Sequence, residues 1–456
     1  MKLESIHLKH TGLFSNLQVQ FHYSHKPITL ILGEQSTGKT TLLKHIYQAL
    51  SWFPARLKDS RTAGIVMLDQ DILNSRIQSR IDIQVKIPSE IGQLPEGSQS
   101  QQSDTSCCAW KLYKTLNSQG IGISQTETQQ LEYLTELYQK AIKQDPLQGL
   151  PCIAYYPSDR FINEINLLSK NIPAVFQASS AYDVAAIPFT TFARFFEWFR
   201  EISDIENAQS AQLFQHLIGK FSTKNSPNFE QEFFQAHAQL NSPNLQALKA
   251  SLNVIFPDIT DIYLQYQPKL QLMVTYQGQS LYYQQLSNSL KIWIAMIGDL
   301  VRRLCLLNPL SLYPCLEGEG ILLIDNIDNQ LDHVLCHEIL ERLHEAFPCL
   351  QIIATGNREE LLEHAEEYQC LSLSNKQISS LEFANSQETY ESVYEHLFNQ
   401  PSEPDLNDLT SEIAIETNMD QVYQLLEGLS DTQKDEILHH LQSNIKHLDE
   451  SRLSEK

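Results

Sequence analysis

Nine residues, Gly33–Thr41 (GEQSTGKTT), hold the clearest chemistry in the chain and follow the apolar run Ile28–Leu32. They fit the pattern G-x-x-x-x-G-K-[ST] at every fixed position. In such a loop Gly33 and Gly38 permit a tight turn, so that the backbone N–H groups of Gln35, Ser36 and Thr37 can face a polyphosphate. Lys39 adds a point charge at the β and γ oxygens, Thr40 would ligate Mg²⁺, and Thr41 completes the phosphate-contacting set. A helix beginning near Lys39 would aim its N-terminal dipole at the same phosphates. Leu42, Leu43, Ile46 and Leu50 fall at helical spacing and supply its buried face.

A second chemical group lies far along the chain. Gly320–Asp325 (GILLID) is a wholly apolar strand that closes on a carboxylate. An aspartate at the C-terminal end of a buried parallel strand sits where open α/β sheets bind ligands, and there it holds Mg²⁺ through water. The separation of the two motifs implies a nucleotide-binding domain split by an insertion. Sustained heptads are missing, which argues against a long coiled-coil arm.

The elements that must position these groups follow from pattern. Residues 2–9, 17–22 and 27–32 read as strands leading into the loop. Gly64–Leu68, Arg80–Ile87 and Cys107–Leu112 read as a strand-rich insertion, with Pro95–Thr105 a polar loop. Glu127–Lys143 has helical spacing, and Pro151–Tyr156 is a buried strand. Phe192, Phe195, Phe196 and Phe199 form an aromatic stripe suited to a core. Residues 205–252 are mainly helical. The alternating runs Asp261–Tyr266, Leu270–Tyr276 and Ser280–Gln284 suggest a small antiparallel sheet. A helix then starts within Leu286–Lys291, with Trp293, Met296, Ile297, Leu300, Leu304 and Leu307 on its apolar face and Asn308 at its end. His333–Phe347 reads as a helix and Leu350–Thr355 as another buried strand.

Composition narrows the class. The net charge of −22 argues against a basic surface for nucleic acid. From Ser386 onward sixteen acidic residues face four basic ones, so this stretch is the most acidic part of the chain. Two helices are expected in it, near Met419–Leu426 and from Ser430 to Leu448, the second opened by a Ser430/Gln433 capping box. Its His439, His440 and His447 read as a solvated face. Eight cysteines without a C-x-x-C pair suggest buried thiols instead of a zinc site or a disulfide framework. No apolar run is long enough to span a bilayer and no signal-peptide pattern opens the chain, so a cytoplasmic protein with no membrane partner is expected.

On these motifs the chain resembles the ABC-type ATPases of the RecF and SMC kind, in a compact branch that includes Septu-type anti-phage ATPases. The blocks that carry the resemblance are GEQSTGKT, IAYYPSDR (153–160), FFEWFRE (195–201), QLSNSLKIWIAMIGDLVRRL (285–304), LEGEGILLIDNID (316–328) and IIATGN (352–357). It implies an α/β P-loop NTPase fold with a split ATP-binding domain at 1–160 and 259–384. A helical lobe would be inserted at 161–258 and an acidic helical extension would occupy 385–456. It implies ATP and Mg²⁺ as ligands, held by Gly33, Gly38, Lys39, Thr40 and Asp325. It also implies a homodimer or a heterodimer with a paralogous ATPase, in which Ser287 of one subunit contacts the γ-phosphate bound by the other.

Three positions depart from the family pattern. Ser289 stands where a glycine is usual, Asn326 where a catalytic glutamate follows the aspartate, and Gly356 where a switch histidine is expected. An amide cannot take a proton from water, so the expectation is retained binding with slow or partner-dependent hydrolysis. The alternative is an active ATPase that powers a nuclease or repair partner, with Asp328 as substitute acid. Asp328 equally suits a loop-capping role. A nuclease effector docked on the acidic extension follows from the resemblance alone, and contact with DNA is left open.

Overall fold

Alternation within continuously buried strands sets the layering. The computed structural model describes residues 1–74, 76–95, 106–162, 178–182, 189–190, 192–221 and 243–381. In chain order, β1 (Lys2–Thr11), β2 (Phe14–Gln20) and β3 (Ile28–Leu32) lead to helices α1 (Lys39–Leu50) and α2 (Trp52–Lys58). Strands β4 (Gln78–Lys86), β5 (Cys107–Leu116) and β6 (Gly122–Glu127) precede α3 (Gln129–Gln144) and β7 (Cys152–Tyr156). Next come β8 (Asp159–Arg160), α4 (Ala178–Ala181), β9 (Phe189–Thr190), α5 (Ala193–Phe221) and α6 (Pro243–Ile255). Then follow β10 (Ile259–Gln265), β11 (Gln271–Tyr276), β12 (Gln279–Tyr282), α7 (Asn288–Leu307), α8 (Pro314–Glu317) and β13 (Gly320–Ile324). Helix α9 (His333–Ala346) and strands β14 (Leu350–Gly356), β15 (Gln369–Ser374) and β16 (Gln377–Ser380) complete the set.

The central sheet has six strands in the order β16-β15-β3-β14-β13-β7, all parallel except β16. Ile28, Leu30 and Leu32 of β3 face one core together with Leu322 and Ile324 of β13 and Ile352 and Ala354 of β14. That core is closed by apolar side chains of α5, α6, α7 and α9. Ile31, Ile321, Leu323, Ile353 and Ile153 point the other way, into a core shared with α1, α3 and the antiparallel strands. Side chains of successive strand residues leave on opposite faces, so a strand covered on both sides must be apolar throughout.

Phe195, Trp198 and Phe199 of α5 are fully buried, as is most of α7 from Ile292 to Leu307. Gly298 of α7 is where the Phe195 ring lies, so a Cβ there would overlap it. Charged groups on α7 are also internal. Asp299 accepts hydrogen bonds from Arg302 at 2.9 Å and Arg303 at 2.7 Å, and from the Tyr156 hydroxyl at 3.0 Å.

Several expectations are corrected. Gly64–Leu68 is an anchored loop and not a strand: Gln48 donates to Val66 O, Trp52 Nε1 to Ile65 O, and Ile65 N to Ser51 Oγ, so side chains meet backbone groups that a sheet would otherwise pair. Arg80–Ile87 and Cys107–Leu112 do fall on strands, as expected. Their strands β4 and β5 continue the sheet begun by β1, in the order β2-β1-β4-β5-β6. Strand β15 was not foreseen, yet it borders β3 directly. The segments Met419–Leu426 and Ser430–Leu448, their histidines and most of Pro95–Thr105 lie outside the described residues. All eight cysteines are free, and seven are buried. No helix among the described residues is long and apolar enough to cross a membrane.

Candidate nucleotide-binding site

The loop Gly33–Thr41 joins β3 to α1 at the C-terminal edge of the parallel strands, where such sheets bind ligands. Two of its glycines are enforced by geometry. A Cβ on Gly33 would overlap the Leu373 carbonyl of β15, and one on Gly38, at φ 110°, would lie 2.7 Å from the Phe14 ring. Ser36 also adopts positive φ, at 64°. No side chain caps α1, whose N-cap is Gly38, so its first-turn amides are unclaimed by a capping group. Lys39 is buried, and its ammonium donates to the carbonyls of Gly33 and of Glu34, the latter at 2.8 Å. Burial lowers its pKa while Asp325, Asp328 and Glu34 oppose the shift. Thr37 Oγ1 donates to the Glu34 carbonyl at 3.0 Å. Gln35 and Ser36 are exposed, and Thr41 is half-buried.

Asp325, fully buried, stands at the end of β13 and draws neighbouring strand ends together. Its Oδ2 accepts from Thr40 Oγ1 at 2.7 Å, across 285 residues of sequence, and its Oδ1 accepts from Thr355 Oγ1 at 2.7 Å. Asn326 follows with φ 46°, a left-handed conformation that asparagine tolerates better than most residues. Its N–H donates to Thr355 Oγ1 at 2.8 Å. The Arg160 guanidinium donates to the carbonyls of Asp325 at 2.8 Å and Asn326 at 2.9 Å. Burial drops the Arg160 pKa to about 10 against the pull of Asp325 and Asp328.

Asp328 is engaged elsewhere. Its Oδ2 accepts the backbone N–H groups of Asn357 at 2.7 Å and Arg358 at 2.9 Å, which ties the loop after β13 to the loop after β14. Both bonds fall on one carboxylate oxygen, so Asp328 Oδ2 caps the start of the loop after β14. At Gly356 a Cβ would run into Leu361 Cδ1, so a histidine there has no room unless Leu361 moves. Ser287 is the exposed N-cap of α7, accepting from Leu290 N at 3.2 Å. Two residues on, Ser289 Oγ donates to the Gln330 carbonyl in the loop after β13.

The residues present fit a nucleoside triphosphate with Mg²⁺. An uncapped helix N-terminus and a lysine suit phosphate oxygens. A threonine hydroxyl backed by a buried carboxylate suits a hard cation reached through water. The phosphate loop and Asp325 thus meet in space as the fold of a P-loop NTPase requires.

The profile of the AAA_23 family, an AAA domain, matches residues 5–260, more than half of the chain. The chain belongs to this family. The match takes in Gly33–Thr41 and stops short of Asp325, which the sheet returns to the AAA domain's phosphate loop. The retron Ec83 probable ATPase of Escherichia coli is 24% identical over 417 residues, covering 83% of this chain and 72% of that protein. The retron Vc95 probable ATPase of Vibrio cholerae serotype O1 biovar El Tor is 24% identical over 380 residues, covering 77% and 70% respectively. Among solved structures, an Smc head bound to the C-winged helix domain of ScpA superposes with a TM-score of 0.45 at 10% identity, over 84% of this chain and 98% of that one. A superposition that loose carries no functional inference.

Two residues of the AAA-domain site escaped sequence reasoning. Thr355 was visible only as part of IIATGN, and its contact with Asp325 needs the β13–β14 register. Arg160 was visible only as the last residue of IAYYPSDR, and it holds backbone carbonyls. Arg302 and Arg303 likewise serve Asp299 and the carbonyls of Ser180 and Ala181.

Proposed function

We propose that this chain is an ATP-binding switch of the RecF/SMC-like ABC kind, in which ATP joins two copies, or one copy and a paralogous ATPase. Hydrolysis is slow or depends on groups from the partner. Residues 1–160 and 259–384 form the split nucleotide domain, 161–258 the inserted helical lobe and 385–456 an acidic extension suited to docking an effector. Gln35, Ser36, Thr37, Gly38 and Thr41 contact phosphate with Lys39, and Thr40 and Asp325 hold the ion. Mg²⁺, when bound, would neutralise charge between the β- and γ-phosphates. The observation that carries this proposal is the asymmetry around Asp325. The hydroxyls of Thr40 and Thr355 grip its two oxygens, while the next residue is the non-basic Asn326.

The names of the relatives, probable ATPases of retrons, support the ATPase class. The Septu-type resemblance supports a setting in phage defence. The exposure of Ser287 at the start of α7 is what a contact with another subunit's nucleotide needs.

The test is an ATP titration beside a single-turnover ATPase assay. Wild type should bind ATP, and Lys39→Ala should bind on the order of 10- to 100-fold more weakly, the worth of a charge-assisted contact. Turnover by the pure protein on the order of 1 s⁻¹, the lower range for ordinary enzymes, would overturn the slow-hydrolysis proposal.

A further inference from the structure

A cavity opens at the N-terminal edge of the parallel strands, at the other end of β3 from the phosphate loop. Its volume is about 530 Å³, and it lies between the start of β3, the last turns of α9 and the turn that leads into β15. That size falls within the roughly 300–1,000 Å³ of small-molecule sites. Pro27 and Ile28 supply apolar surface, while Glu341, His344, Glu345, Glu367 and Tyr368 bring polar groups from two sides.

Two polar atoms of these lining residues are buried with no hydrogen-bond partner, the Tyr368 hydroxyl and His344 Nδ1. Tyr368 as a whole is 2% exposed. Burial, then Glu341 and Glu367, push its pKa up, so the phenol stays neutral beside two carboxylates. Burial and then Lys2 lower the His344 pKa against the pull of Glu367, so that ring is neutral at pH 7 as well. A polar atom taken out of water without a partner is costly, and native folds leave few of them. The acids are short of partners too. On α9, Glu338 and Glu341 pair with Arg342 and His364, whereas Glu345 and Glu367 are exposed and form no ion pair among the described residues. Lys26 stands close by, but its ammonium donates to the Tyr368 carbonyl at 2.7 Å.

What these groups share decides the ligand. Carboxylates can only accept hydrogen bonds, and a phenolic oxygen and an unprotonated imidazole nitrogen can accept as well. An occupant that donates and carries positive charge satisfies them all. Among the described residues no group of three or more His, Cys, Asp and Glu side chains could hold a metal ion, so these acceptors do not converge on one point. Acceptors spread over a cavity of this size suit charges spread along a chain. We propose that the cavity binds a linear alkyl polyammonium ion. Its methylenes lie on Pro27 and Ile28, and its terminal ammoniums meet Glu345 on one side and Glu367 on the other, within reach of Glu341, His344 and Tyr368.

None of these residues belongs to the loop Gly33–Thr41, so binding can be measured without nucleotide. The experiment is equilibrium dialysis of the full chain against labelled spermidine at about pH 8 and about 0.15 M salt. That pH lies above the ordinary histidine pKa, and that salt screens diffuse attraction to an acidic surface. Wild type should hold one equivalent that Glu345→Gln/Glu367→Gln lacks. Each single variant should weaken it at least about tenfold, the worth of a charge-assisted contact, and Tyr368→Phe about three- to tenfold. Both glutamates are exposed, so the unfolding midpoints of their variants should match wild type, which separates lost binding from a folding defect. Propylammonium, with a single charge, should bind at least about tenfold more weakly than spermidine. Uptake of no spermidine would overturn the proposal. Equal uptake by wild type and the double variant, or displacement of spermidine by Mg²⁺ at equal concentration, would overturn it too, since acids elsewhere or charge alone would then account for the binding.

Discussion

Two buried carboxylates, Asp299 and Asp325, are sealed from solvent to nearly the same degree but differ in their partners. Asp299 is 3% exposed and sits between two guanidiniums, Arg302 and Arg303, with the Tyr156 hydroxyl as a third donor. Asp325 is 0% exposed, and the hydrogen bonds to its oxygens come from two neutral hydroxyls. A buried charge needs compensation. Asp299 finds it within the fold and is a closed unit that fixes α7 against β7. Asp325 has Lys39 and Arg160 as charged neighbours, and in the proposed function it also serves a cation entering beside Thr40. The kind of partner, more than the depth of burial, separates a structural acid from one arranged for a ligand.

The largest test sets the two acids against each other. Asp299→Ala strands two guanidiniums in the core and should cost about 3–5 kcal/mol, read by denaturant unfolding. Asp325→Ala removes a buried charge along with two hydrogen bonds. It should cost less than about 2 kcal/mol, because the lost bonds and the relieved desolvation oppose each other, yet it should abolish the Mg²⁺ dependence of ATP binding. Equal destabilisation by the two variants would break the comparison.

Next in size, Asn326→Glu supplies a base beside Asp325. Single-turnover hydrolysis should rise about 100-fold, the lower end for general-base catalysis. No rise would mean that the missing base is not what limits the rate. Gly356→His then asks whether the opposite side of the same edge accepts an imidazole. Collision with Leu361 should cost about 1–3 kcal/mol, and Gly356→His/Leu361→Ala should recover most of it in the same unfolding assay.

The smallest effect concerns a third carboxylate, Glu360, held by both a guanidinium and an imidazole. Its folded pKa of about 2 lies below the ordinary 4.5. The stability it contributes is therefore fully present above about pH 4.5 and is lost as the pH falls toward 2. Arg358→Met should flatten that part of an acid-unfolding curve.

How far sequence alone reached can be traced along the same edge. β3, its phosphate loop and α1 were legible because fixed glycine spacing, a continuous apolar run and a helical stripe coincide within 23 residues. β13 with Asp325 was legible because a wholly apolar run closes on a carboxylate. β15 was not, because QCLSLS is half polar and carries little pattern, although its Leu373 carbonyl walls the phosphate loop at Gly33. The Thr355 and Arg160 contacts were hidden because they join residues 30 and 165 positions apart in sequence, a relation that exists only once β7, β13 and β14 are in register. On α7 the apolar face was read from six positions, whereas the helix is buried on all sides. Asp299, Arg302 and Arg303 interrupt the apolar pattern, and their mutual neutralisation exists only in the folded helix.

Leu361 beside Gly356 bears on the paths open to the gene. Glycine and histidine codons differ at both of their first two bases, so the imidazole is beyond any single nucleotide change. The first coding steps toward it, aspartate and arginine, each place a side chain against Leu361 Cδ1. Any side chain larger than glycine's at position 356 therefore comes with a shift of the Leu361 side chain, which couples the two positions.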